Sequence, residues 1–165
     1  MVNIYAIGSA EWIYGAFFSE QEAIYYSRYC NGSAVYRVCL DSKRPAMKTY
    51  RPDSYVKPPL FFLLFPRNPS NAFLHIVRAD NEGVRPYYTL SAHTAEHYAN
   101  QLWQAILECR GVLRSVEVIK LQMNTINIIY GGIALSPGAE QNSLAESTTI
   151  RRKLAKPHDY SMEYA

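Results

Sequence analysis

The stretch FFSEQEAIYYSRYCNG, residues 17–32, contains a whole helix with both of its ends marked. Ser19 followed three residues later by Glu22 is a capping box, in which the two side chains satisfy each other's orphan backbone N–H groups at a helix start. Asn31-Gly32 supplies residues that tolerate the left-handed turn ending a helix, so the helix is predicted to run from Ser19 to about Cys30. Residues 2–9 alternate weakly and residues 12–18 are rich in aromatic and β-favouring side chains. They predict a strand pair joined near Ser9-Ala10-Glu11. Downstream, Val35-Tyr36-Arg37-Val38-Cys39-Leu40 reads as a strand with Tyr36, Val38 and Leu40 on one face. Residues 2–41 are therefore a strand-strand-helix-strand unit.

Residues 72–121 repeat that order. Phe73-Leu74-His75-Ile76-Val77 and Val84-Arg85-Pro86-Tyr87-Tyr88-Thr89-Leu90 flank the turn-prone Asp80-Asn81-Glu82-Gly83 and predict a second hairpin. A helix follows from about Ser91 or Thr94 to Cys109, and Val112 to Leu121 reads as a strand with Val116 and Val118 on one face. Each helix starts from an aromatic strand through a serine and ends in Cys-x-Gly, at Cys30-Asn31-Gly32 and Cys109-Arg110-Gly111. The second is longer by about two helical turns, which keeps its inward stripe pointing the same way. Counted from the serine, Ala23, Tyr26 and Cys30 line up with Ala95, Tyr98 and Leu102. The predicted fold class is α+β: tandem duplicated strand-strand-helix-strand units forming mostly antiparallel sheet, with two helices packed on it.

The units join through residues 42–71, which hold six of the nine prolines: Pro45, Pro52, Pro58, Pro59, Pro66 and Pro69. This density denies helix and central strand, so 42–59 and 66–71 are expected to be loop. The apolar island 60–65 between them reads as an extra buried strand or a contact surface. Ile126, Ile128 and Tyr130 alternate in an expected last strand over 124–131. Residues 1–135 are thus read as one compact domain and 136–165 as a loose basic tail.

Composition limits the function classes. With 48% hydrophobic and 19% charged residues the chain is globular, and a net charge of +3 is too small to imply nucleic-acid binding by itself. The basic cluster Arg151, Arg152, Lys153 and Lys156 in the tail keeps a nucleic-acid role as one alternative. Three cysteines, Cys30, Cys39 and Cys109, give neither a disulfide framework nor a zinc knuckle, and reduced thiols in a cytoplasm fit best. The N-terminus lacks the basic flank and apolar core of a signal peptide, and the six-residue run Leu60–Phe65 is too short to span a bilayer, so no membrane partner is expected.

The most specific string is His93-Thr94-Ala95-Glu96-His97. In a helix, His93 and His97 lie one turn apart and can share a Zn²⁺, with Glu96 as general base on a bound water. The segment resembles the inverzincin signature and is similar to the helix of S-ribosylhomocysteine lyase, whose motif also reads His-Thr-x-Glu-His. The resemblance implies a zinc-dependent hydrolase or lyase. The lyase takes a further ligand from a downstream cysteine, and this chain has none after Cys109. Helical geometry sets His93 and His97 opposite the stripe Ala95, Tyr98, Ala99, Leu102, Ile106 and Cys109, on the polar face. Phe17-Phe18-Ser19 through Val35-Tyr36-Arg37-Val38 is similar to the middle of some ADP-ribosyltransferases, although only a short segment precedes it and no late Gln-x-Glu pair follows.

Gly-rich phosphate loops, Gly-x-Ser-x-Gly elbows and Cys-x-x-Cys pairs are absent from the sequence. Fourteen tyrosines, several paired, suit sheet surfaces and binding surfaces alike. The leading expectation is a non-enzymatic binding or inhibitory protein that acts through protein contacts and needs no cofactor. Phe61, Phe62, Tyr87 and Tyr88 are the candidate partner-binding residues.

Overall fold

The computed structural model describes residues 2–9, 12–58, 69–79, 84–109, 115–126, 133–134 and 147–153. Strands β1 (Asn3–Gly8) and β2 (Trp12–Phe17) form the first hairpin, and α1 (Glu20–Ser27) leads to β3 (Ala34–Cys39) and β4 (Met47–Tyr50). Strands β5 (Phe73–Ala79) and β6 (Tyr87–Thr89) form the second hairpin, followed by α2 (Ala92–Cys109) and β7 (Ser115–Gln122). Three further strands, β8 (Thr125–Ile126), β9 (Ile133–Ala134) and β10 (Ser147–Lys153), complete two antiparallel sheets. The first runs β4-β3-β1-β2-β8 with β9 also on β2, and the second runs β10-β7-β5-β6.

Both helices start as the serines dictate. Ser19 Oγ accepts from the Glu22 amide at 3.4 Å, and Ser91 Oγ accepts from the Thr94 amide at 3.1 Å. Each serine carbonyl takes the next bond, from Ala23 and Ala95 respectively, so the two helix starts match atom for atom. Helix α1 ends at Ser27, short of Cys30, because Tyr29 and Cys30 donate to the carbonyls three residues back, Tyr26 and Ser27, in tighter turns. Gly32 follows in the left-handed region at φ 74°.

The buried side chains sort into three layers of contact. Ile7, Phe17 and Val35 meet Ala23, Tyr26 and Cys30 of α1. Val77, Ala79, Val116 and Val118 meet Ala95 and Ala99 of α2. Between the sheets, Ile4, Ala6, Ile13 and Val38 face Leu74, Ile76, Ile119 and Leu121. The alternation of β1, β2, β3, β5 and β7 therefore feeds two cores, one toward a helix and one toward the other sheet. The layer order is helix, sheet, sheet, helix.

Two backbone stitches hold the sheets together. The Asp41 amide, at the end of β3, donates to the Tyr88 carbonyl of β6 at 2.9 Å. Where the chain passes from β7 to β8, Asn124 takes φ 59°, donates its amide to Ala16 O at 2.8 Å, and accepts from the Phe18 amide through Oδ1 at 3.2 Å. Asparagine tolerates that left-handed backbone because its short side chain bonds locally.

Two elements depart from the expectation, and a third is described only in part. Residues 47–50, expected as loop, form β4 against β3, since Pro45 and Pro52 flank the strand without entering it and an edge strand needs only one bonded side. Residues 147–153, expected as part of a loose tail, form β10 along Ser115–Leu121 of β7. Its Ser-Thr-Thr-Ile start favours strand, and its cations are tolerated at an edge. Of the strand expected over 124–131, Thr125–Ile126 forms β8, and the remainder from residue 127 lies outside the described residues.

Candidate functional site

Helix α2 buries Ala95 and Ala99 against β5 and β7, which turns His93 and His97 to solvent as exposed side chains. Among the described residues no three His, Cys, Asp or Glu side chains are grouped to hold a metal ion. Phe61 and Phe62 lie outside the described residues.

Tyr87 and Tyr88 point to opposite faces of β6, as neighbours on a strand must. Tyr87 faces the helix and stacks on Tyr98 with centroids 4.2 Å apart. Burial, then Asp41 and Tyr98, raises its phenol above the usual range. Tyr88 packs against the inter-sheet core, where burial pushes its phenol up to about 12. The two rings therefore pack against different layers of the fold. Arg151, Arg152 and Lys153 of the basic cluster lie in β10.

Two groups with catalytic potential, Cys30 and His75, are buried. Burial pushes the Cys30 thiol up to about 12, away from the reactive thiolate. His75, on the helix side of β5, is held below the usual imidazole range, first by burial and then by Lys120 beside it. Among the described residues no buried side-chain nitrogen or oxygen lacks a hydrogen-bond partner. Arg78 and Glu117 pair across β5 and β7 on the inward face. The signal for that pair was present in the strand pattern: Leu74, Ile76 and Arg78 share one face, as do Glu117, Ile119 and Leu121.

The surface feature that stands out is the free edge at β4. All four of its residues are exposed, and among the described residues no strand pairs with its outer side. Met47 pairs with Arg37 and Tyr50 with Val35. Directly opposed residues share a face, so Met47 and Tyr50 lie on the helix side of the sheet. Helix α1 is only eight residues long and packs on β1, β2 and β3, leaving that corner open. Met47 is 57% exposed and Tyr50 37%, and Arg37 reaches the Met47 sulfur at 3.3 Å. The following loop adds Tyr55 and Val56, 49% and 44% exposed, held in place because the Val56 amide donates to Arg28 O at 2.8 Å. The other long edge, β10, carries Arg151, Arg152 and Lys153, the charges that ordinarily keep an edge unpaired. β4 has only Lys48.

No helix among the described residues is long and apolar enough to cross a membrane. No protein family's sequence profile, no curated protein and no solved structure matches the chain.

Proposed function

We propose that the protein is a non-enzymatic binding protein that engages a polypeptide partner at the β4 edge. The partner adds a strand beside β4, its backbone supplies the hydrogen bonds, and Met47, Tyr50, Tyr55 and Val56 supply the apolar anchors. The observation that carries this reading is the edge strand whose four residues are all exposed, with aromatic and thioether side chains and a single lysine. Exposed apolar side chains contribute binding energy only when covered, at about 25 cal/mol per Å². Tyrosine is also among the residues that dominate interfaces.

The reading extends to the architecture and the setting. The two halves are copies of one strand-strand-helix-strand unit. In support, the strand orders β3-β1-β2 and β7-β5-β6 correspond, the serine caps match, and Ala23 and Ala95 are both fully buried. Cys30 is a free, buried thiol, which supports a reducing, cytoplasmic setting.

The test places a photo-cross-linking residue at position 50 and compares it with one at position 97 on the polar face of α2. A discrete adduct at 50, lost when Met47→Glu and Tyr55→Glu are added to a protein that melts at the same temperature, is the expected outcome. Adducts that form equally at 97, or persist in the double variant, would refute it.

A further inference from the structure

We infer that the protein has a second, independent binding site in the cleft between the two sheets, built for a small organic anion with a flat apolar body. The cleft has a volume of about 230 Å³ and opens where the ends of β1, β2 and β3 meet the β6 edge. Ala6, Ile13 and Val38 form its floor. Trp12, Tyr36 and Tyr88 also line it, so three aromatic residues border the space a flat ring would take. A cavity of about 150 Å³ accommodates benzene, which makes this one large enough for a single substituted ring and small for a nucleotide.

The charge at the mouth selects the head group. Arg44 and Arg85 line the cleft, and among the described residues no carboxylate does. No ion pair among the described residues engages either guanidinium. Each arginine directly precedes a proline, Pro45 and Pro86, which restricts its backbone to extended conformations. The Arg44 amide is further held by Ser42 Oγ at 3.1 Å. The bond from Asp41 to the Tyr88 carbonyl ties the two arginine-bearing segments together. Two guanidinium groups carried on restrained backbone beside an apolar floor match a carboxylate or phosphate on a ring, because the guanidinium fork donates two parallel bonds to either.

The test uses the full chain carrying Trp103→Phe, which leaves Trp12, in the cleft, as its one tryptophan. Benzoate and phenyl phosphate are titrated against benzamide and inorganic phosphate, following Trp12 emission and ligand-observed NMR. Saturable binding of at least one aromatic anion is expected, with benzamide and inorganic phosphate each weaker by about tenfold or more. The tighter of benzoate and phenyl phosphate identifies the head group. Arg44→Gln with Arg85→Gln, both exposed positions, should remove about tenfold of the anion affinity and leave benzamide unchanged. Ala46→Trp, at the exposed rim, should block all ring ligands. Benzamide binding as tightly as benzoate, full anion affinity in the arginine double variant, or no saturable signal in either readout would overturn the inference.

Discussion

Replacing Glu117 with Leu should be among the most damaging single changes in the second sheet. Its carboxylate pairs with Arg78 across β5 and β7, and both side chains are at most 9% exposed. Removing the carboxylate takes the ion-pair partner from a guanidinium held between the sheets, beside Ile76 and Ile119 of the inter-sheet core. Breaking one side of such a pair costs about 3–5 kcal/mol, because the surviving charge keeps its desolvation penalty and loses its compensation. Replacing both residues, Arg78→Met with Glu117→Leu, removes the penalty together with the attraction and should cost less than about 1.5 kcal/mol. The difference is a coupling of at least about 2 kcal/mol. Urea unfolding read by far-ultraviolet circular dichroism measures it. With a slope of about 1–3 kcal/mol per M, Glu117→Leu should lower the midpoint by more than about 1 M. If the single variant loses under about 1 kcal/mol, or the two changes are additive, the pair is not the buried, mutually dependent unit argued for here.

Three further outcomes follow from individual contacts. Ser19→Ala and Ser91→Ala each remove one helix cap and should each cost about 1 kcal/mol in the same urea assay. A Cβ on Gly8 would lie 2.1 Å from the Trp12 carbonyl oxygen, whereas one on Gly32 meets nothing within 4 Å. Gly8→Ala should therefore cost well over about 2 kcal/mol, or yield insoluble protein, and Gly32→Ala only the left-handed strain of about 1–2 kcal/mol. His75 is held below its ordinary value of 6.5, so the unfolded chain takes up its proton first. Its contribution is intact above pH 6.5 and is lost as pH falls below that value; thermal melts from pH 7 to 5 should show a slope that His75→Gln reduces.

How far the sequence foretold the structure depended on whether the relevant interaction was local. Ser19-x-x-Glu22, the alternation of Ile4 and Ala6, and the Ala95–Ala99 stripe are each written within a few residues, and they placed both hairpins and both helices. β4 and β10 were hidden because an edge strand needs no apolar alternation. What admits Met47–Tyr50 and Ser147–Lys153 to a sheet is the free side of β3 and of β7, which no local window contains. The facing of Tyr87 and Tyr88 was implicit in their adjacency, but which of the two faces a helix and which faces a sheet depends on the layer order. The Arg44–Arg85 cleft draws on segments far apart in the chain, brought together by the Asp41–Tyr88 backbone bond. The His93–His97 pair shows the converse: a specific local string, and a helix whose packing turns both imidazoles to solvent.

The central claim, that β4 receives a partner strand, is tested most directly by amide hydrogen exchange over residues 47–50, in the free protein and in the complex isolated through the position-50 adduct. β4 already bonds β3 along one side, so a strand added to the other side must slow exchange at the outward-facing amides of β4. The account predicts that protection, and predicts its absence when Met47→Glu and Tyr55→Glu prevent the complex from forming. Unchanged exchange across 47–50 in a complex that protects another edge or a helix face would contradict it.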